Sequence, residues 1–222
     1  DIYNSGVNYN VLCRKVKDVA RASASLSMLD QHDTDLLDRE VGCLPRIIAL
    51  YGATYTPHEF AHSLCLPGDY VAMTSFTHHP FGSKFALETP DNRFGDTFLN
   101  LPIDTLMKRI VQSLQSGHAV CWEGDTSEAG FRFAEGRATM PEGTKATQEE
   151  RQRLFDRRQT TDDHCMELCG LARDRKGQRF FIAKNSWGKG NRYKGFMYLS
   201  DDYVRLKTIA VYMRMPIEPP NQ

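Results

Sequence analysis

Nowhere among the 222 residues is there a run of about 18 apolar side chains, so no helix is expected to cross a membrane. The N-terminal Asp1-Ile-Tyr-Asn-Ser5 has neither the basic nor the apolar stretch of a signal peptide. Net charge is lacking as well, since Lys plus Arg and Asp plus Glu both total 28. Without a field of one sign, nothing drives the protein onto nucleic acid or an anionic membrane. The six cysteines, at 13, 43, 65, 121, 165 and 169, show neither the paired spacing of a zinc site nor a dense disulfide framework. They read as mostly buried thiols, and no metal or cofactor is expected. Cys165 and Cys169 share one face of a predicted strand, but alternation turns His164 to the other face and out of any Cys and His metal set. Internal repeats and low-complexity blocks are absent too. What remains is ordinary globular usage, 41% hydrophobic and 25% charged, enough for one sizeable core. A soluble mature chain is expected, in the cytoplasm or exported after processing, and the composition leaves a homo-oligomer open.

Helix signals are clear in four places. Thr56-Pro57-x-Glu59 predicts a capped start, with a short helix through His62 and Leu64 ending near Pro67-Gly68. From Asp104 to Ser116, apolar Leu106, Met107, Ile110, Val111 and Leu114 recur at three- and four-residue steps, giving one buried stripe and a stop at Gly117. Val11 to Leu29 reads as a helix capped by Asn10, and the highly charged Thr147 to Arg157 as a surface helix. Strands are expected over Tyr70 to Phe76, Ala119 to Trp122, Met166 to Leu171, Arg179 to Ala183, Gly195 to Leu199 and Thr208 to Met213. The pattern is α+β, with a helical segment over 1–56, a β-rich half over 57–215 and a proline-rich tail over 216–222.

The chemistry concentrates in one hairpin. Thr160-Thr-Asp-Asp-His164 and Lys184-Asn-Ser-Trp-Gly188 flank two strands joined at Asp174-Arg-Lys-Gly177, whose Asp and Gly suit a tight turn. If Asp174 pairs with Gly177, His164 lies opposite Trp187 and Asn185 is its diagonal neighbour on the same face. An imidazole can accept a thiol's proton and hold the charge of the thiolate that results. Asn185 would fix the ring through one nitrogen and aim the other at sulfur, while Trp187 covers that bond from water. The plainer alternative is a core histidine beside a turn asparagine.

These residues carry a resemblance. Asp163-His164, Lys184-Asn-Ser-Trp-Gly188 and Gly195-Phe-Met-Tyr-Leu-Ser200 together resemble the C-terminal half of a papain-like cysteine peptidase. Tyr55-Thr-Pro-His-Glu-Phe60, Thr74-Ser-Phe-Thr-His-His-Pro80, Leu101-Pro-Ile-Asp104 and Gly117-His-Ala-Val-Cys-Trp-Glu-Gly-Asp125 are similar to the bleomycin hydrolase and aminopeptidase C branch. The resemblance implies a papain-like α+β fold, mainly the β-barrel-like half with part of the helical half. It implies peptide substrates, His164 and Asn185 as catalytic residues, Trp187 as their shield, and a cleft lined by Gly124 and Asp125. Asp163, beside the histidine, would raise its pKa or contact a substrate amine. His78 and His79, adjacent at a strand end, should face opposite ways and do nothing catalytic.

One departure matters as much as the match. Such enzymes carry an oxyanion glutamine and a nucleophilic cysteine followed by tryptophan at the start of a long helix, and that pattern is missing here. Cys13, early in its predicted helix where the dipole could lower a thiol pKa, is the nearest substitute. It is followed by Arg14, and no glutamine precedes it. The nucleophile and the glutamine are therefore expected on a separate N-terminal partner chain. The start at Asp1, without an initiator methionine, is that of a cleaved product and equally of a truncated chain. The rival expectation is a noncatalytic papain-like protein that holds peptides in the same cleft. In this branch the C-terminus can lie in the cleft and confer aminopeptidase action, but Pro216-Ile-Glu-Pro-Pro-Asn-Gln222 leaves exopeptidase against endopeptidase open.

Overall fold

The computed structural model describes residues 6–43, 45–66, 68–90 and 92–215. Two compact units divide the chain between Leu66 and Pro67. The tail over 216–222 lies outside the described residues.

In the first unit, helix α1 (Tyr9–Ala22) is capped by Asn8, whose Oδ1 accepts the Val11 amide at 3.1 Å. The expected cap at Asn10 and the continuous helix to Leu29 are both corrected. Ser23 Oγ donates back to Val19 O at 2.8 Å, the chain bends, and Ser25 accepts the Met28 amide at 3.3 Å to open α2 (Leu26–Glu40). Short hydroxyls compete with the helical ladder, and here they end one helix and start the next. Lys15 Nζ and Glu40 Oε2, 2.7 Å apart, tie the two together. Strands β1 (Ile48–Leu50) and β2 (Ala53–Tyr55) form a hairpin through Tyr51-Gly52, both at positive φ, as a two-residue turn matched to strand twist requires. Helix α3 (Pro57–Leu64) starts where the sequence predicts, with Thr56 N donating to Glu59 Oε2 at 2.7 Å and Glu59 N to Thr56 Oγ1 at 3.2 Å. Among its described residues, this unit buries one apolar side chain, Leu36.

The second unit is built on a single sheet. In chain order its strands are β3 (Tyr70–Thr74), β4 (Lys84–Ala86), β5 (Thr97–Asn100), β6 (Val120–Gly124), β7 (Phe131–Arg132), β8 (Arg137–Ala138), β9 (His164–Arg173), β10 (Arg179–Lys184), β11 (Phe196–Ser200) and β12 (Thr208–Arg214). They lie side by side in the order β4, β5, β3, β12, β6, β9, β10, β11, β8, β7. Helix α4 (Ile103–Gln115) buries Leu106, Met107 and Ile110 of its predicted stripe, together with Ile103, in a core with Val120, Trp122, Leu168, Phe181 and Val211, while Val111 and Leu114 of the stripe pack against that core half-buried. Two shorter helices, α5 (Gln148–Asp156) and α6 (Asp201–Lys207), complete the unit.

Helix α5 corrects its surface assignment. Arg151 is wholly buried, donating from Nε to Ser75 O at 2.7 Å and from Nη1 to Arg205 O at 2.9 Å, with its guanidinium 4.7 Å above the Phe76 ring. The planar head bonds carbonyls while the stem packs, so a charged residue here belongs to the interior. The cysteines reverse the other way. Cys43, Cys121, Cys165 and Cys169 are exposed and Cys13 and Cys65 half-buried, so the thiols expected inside are not. The three on β6 and β9 lie on the sheet face turned away from the core that α4 covers.

Register in the β9–β10 hairpin decides what faces what. Asp174 N donates to Gln178 O and Gly177 N to Asp174 O, both at 3.0 Å, so Asp174 pairs with Gln178 and not with Gly177 as expected. Gly177, at φ +81°, supplies the left-handed residue this turn needs. The strands then run Arg173 against Arg179 to Gly170 against Ile182, where Cys169 is skipped and Leu168 pairs with Ala183. That bulge takes back the residue the turn added. Leu171 and Leu168, three apart, consequently both join the core.

A fully buried residue of the stripe gives a direct stability test. Leu106→Ala should lower unfolding free energy by about 2–5 kcal/mol, read by urea titration, and a change below about 1 kcal/mol would contradict the packing described.

Candidate active site

The bulge delivers His164, at the start of β9, to Asn185, just past the end of β10. His164 Nε2 and Asn185 Oδ1 are 2.9 Å apart, and Nδ1 is left without a partner among the described residues. Asn185 is 8% exposed, its amide nitrogen 3.7 Å from Met197 Sδ and its backbone N–H donating to Gly195 O at 3.0 Å. A buried amide with its nitrogen facing a weak acceptor and its oxygen facing the ring has one sensible orientation. The imidazole therefore carries its proton on Nε2 when neutral, with Nδ1 free to accept another.

Trp187 sits against the ring, 4.8 Å between centroids, although it is itself 48% exposed. Two residues that sequence reading overlooked hold it: Phe133 and Phe131 meet it edge-on at 5.2 and 5.6 Å. Asn191 was missed also. Its Oδ1 accepts the Gly195 and Tyr193 amides at 2.6 and 3.2 Å and its Nδ2 donates to Phe196 O at 2.8 Å, which folds the loop between Asn185 and β11. Gly195, at φ +95°, has no room for a side chain, since a Cβ would lie 2.8 Å from Gly188 O. An Asn followed four residues later by Gly, just ahead of a strand, was the available signal.

Asp163 does not offer its carboxylate to the ring. Oδ1 accepts from Thr126 N at 2.8 Å and Thr126 Oγ1 at 3.0 Å, and Oδ2 from Thr161 Oγ1 at 3.2 Å. Burial raises its pKa, but the Thr126 amide and hydroxyl, with Ser127 and Asp125, outweigh that and hold the carboxyl below the usual range. Gly124 pairs with His164 across β6 and β9, and a Cβ on it would strike Trp122 and Lys207. Asp125, expected in the cleft, is instead buried, accepting from Ser127 N at 2.8 Å and facing Lys207 Nζ at 3.4 Å. Lys207 is equally buried and also bonds Glu128 and Gln159 O, so one ammonium ties the segment after Gly124 to the segment before His164. Two cavities flank the pair, one of about 410 Å³ beside His164 and Glu123 and one of about 640 Å³ beside Asn185 and Cys165.

The remaining candidates lie elsewhere. Cys165 follows His164 but points to the opposite face. Burial pushes the Cys121 thiol up, with Glu123 and Glu167 adding to it, and burial and Glu167 do the same at Cys169. Neither is set up as a thiolate. With Asn8 as cap, Cys13 is the fifth residue of α1, beyond the free amides of the first turn. His78 and His79 do not face opposite ways: their Nε2 atoms converge on Glu88 at 3.1 and 2.7 Å, because Asn100 Nδ2 bonds Phe76 O and His79 O at 2.8 Å and folds them into a turn. This trio is the group of metal-ligand type among the described residues. Gln152 Nε2, held by Asp156 at 2.7 Å, points at His78 Nδ1 at 3.0 Å, which leaves the His78 proton on the nitrogen a metal would need.

The profile of the Peptidase C1-like family matches residues 52–214, and the chain belongs to that family. Aminopeptidase G of Lactobacillus delbrueckii subsp. lactis is 28% identical over 152 residues, covering 62% of this chain and 33% of that protein. The crystal structure of PepW from Lactobacillus rhamnosis HN001 superposes with a TM-score of 0.66 at 18% identity, over 95% of this chain and 54% of that one. The α+β papain-like fold expected from the sequence is thus the fold observed. The chain spans about a third of the curated relative and about half of the solved structure it matches. Among the described residues, no helix is long and apolar enough to cross a membrane.

Asp163 yields a pH test. Its folded carboxyl titrates lower than the ordinary aspartate value near 3.9, so it stabilises the fold above that pH and loses the contribution as pH falls through the lower folded value. Unfolding measured for wild type and Asp163→Asn should show a gap at neutral pH that narrows in acid; a gap of constant size would refute this.

Proposed function

We propose that this chain supplies the histidine and asparagine of a papain-like cysteine peptidase that cleaves peptide bonds through an acyl-enzyme. The observation that carries the reading is the His164 and Asn185 contact at 2.9 Å, with Nδ1 left over. His164 Nδ1 takes the thiol proton, the thiolate attacks the scissile carbonyl, and the same nitrogen gives the proton to the departing amine. A water, deprotonated by Nδ1, then releases the acyl group and restores the thiol. Asn185 keeps the ring aimed, and Trp187 shields their bond from water. The Nε2–H to amide contact holds the ring in both charge states, so the imidazolium needs no new partner when it forms.

The nucleophilic cysteine and the oxyanion glutamine are assigned to an N-terminal partner chain. Three observations support this: Cys121 and Cys169 are held as thiols, Cys165 faces away, and Cys13 sits past its helix start. The relative named Aminopeptidase G favours an exopeptidase acting at the N-terminus of peptides. Asp163, whose carboxylate is engaged by Thr126 and Thr161, acts here by fixing the backbone next to the histidine.

Labelling the native material with a thiol-directed epoxide, followed by mass spectrometry of every chain, is the deciding experiment. Label on a co-purifying N-terminal chain is expected. Label on Cys13 would overturn the choice of nucleophile, and no label on any chain would overturn the peptidase reading. In the same assembly left unlabelled, His164→Ala should cut turnover by about 10²–10⁴-fold with the fold intact, and Asn185→Ala by less. Full activity in His164→Ala would end the assignment.

A further inference from the structure

A cavity of about 640 Å³ opens at the turn end of the β9–β10 hairpin, between Arg173 and the loop ahead of β11. Its floor is aromatic, with Phe180 buried and Tyr193 and Tyr198 meeting edge-on at 4.9 Å. Three arginines line it, Arg137, Arg173 and Arg192, and none forms an ion pair among the described residues. The two acids of the lining are engaged already: Asp174 Oδ1 accepts the Lys176 and Gln178 amides at 2.8 and 2.9 Å, and Glu135 faces Arg132 at 3.4 Å. So the lining carries one more positive than negative charge, and its cations are the groups with unused donors.

The walls are positioned by the fold. Arg137 Cζ lies 5.7 Å over the Phe180 ring and Arg192 Cζ 5.6 Å over the Tyr193 ring, so both guanidinium groups are held beside the aromatic floor. Arg173 gives one nitrogen to Gly177 O at 2.7 Å and keeps the rest. Tyr193 owes its seat to Gly136, at φ +64°, where a Cβ would run into the tyrosine ring. His164 lies at the other end of the ten-residue strand β9, about 30 Å away, so the cavity is separate from the site already described.

We propose that this cavity binds a small anion bearing an aromatic ring, of mononucleotide type, with the oxyanion on the arginine forks and the ring on the tyrosines. Arginine forks match phosphate and carboxylate oxygens in pairs, and a tyrosine face accepts a planar ring. The volume falls in the range of small-ligand pockets, and the zero net charge of the chain supplies no long-range pull for a polyanion. A compact ligand is therefore favoured over nucleic acid.

The test is calorimetric titration of the intact protein with AMP, inorganic phosphate and adenosine, none of which requires peptidase activity. AMP should bind saturably at millimolar concentration, phosphate more weakly, and adenosine least. Arg137→Gln and Arg192→Gln should each weaken AMP about tenfold; Tyr193→Ala should bring AMP to the level of phosphate without altering phosphate itself. All three side chains are at the surface, and unfolding midpoints equal to wild type confirm that the variants are folded. The proposal is overturned by absence of saturable AMP binding, by adenosine binding as well as AMP, or by AMP binding unchanged in both arginine variants.

Discussion

Everything in the second unit hangs on the pairing of β9 with β10. Side chains alternate across a strand, so a slip of one residue would turn Leu168 outward and send His164 to the wrong face. Two irregularities keep this from happening, the extra residue in the Asp174 turn and the skipped Cys169. Each alone would misalign the far end of the hairpin, and together they cancel. Neighbouring β6 reads the same register, with Trp122 on Met166 and Gly124 on His164, so the correction propagates into the centre of the sheet.

Legibility followed distance along the chain. The capping box of Thr56 and Glu59 involves residues three apart, and the stripe on α4 needs only helical periodicity, so both could be read directly. The nearness of His164, Asn185 and Trp187 was also legible, but through a premise that was off by one at the turn and set right by the bulge. A signal for that bulge was present: Met166 and Leu168 alternate, and the next core residue, Leu171, comes three later. Other features depended on distant partners. Phe131 and Phe133 reach Trp187 from over fifty positions upstream, Asn100 bends the segment carrying His78 and His79, and Ser75 and Arg205 supply the carbonyls that let Arg151 go inside. No local pattern encodes such partners. The early cap at Asn8 and the break at Ser23 were local, yet competed with an equally good helical reading.

The surroundings of His164 show a division of labour between charged and neutral groups. Direct contacts to the ring come from an amide and an indole, neither of which titrates near neutrality. One set of full charges, Lys207, Asp125 and Glu128, closes on itself beneath the loop that Asp163 fastens. That arrangement fixes the backbone beside His164, where Asp163 also binds Thr126 and Thr161.

The cancelling pair of irregularities in the hairpin also bears on how this segment tolerates changes of length. Insertions and deletions in surface turns are ordinarily absorbed with little effect. Here, removing a residue from the Asp174 turn would shift the entire far half of β9 unless the bulge at Cys169 were lost at the same time. Gaps near Cys169 and near Gly177 are therefore coupled events, and related sequences should be aligned through this region with the two counted as one.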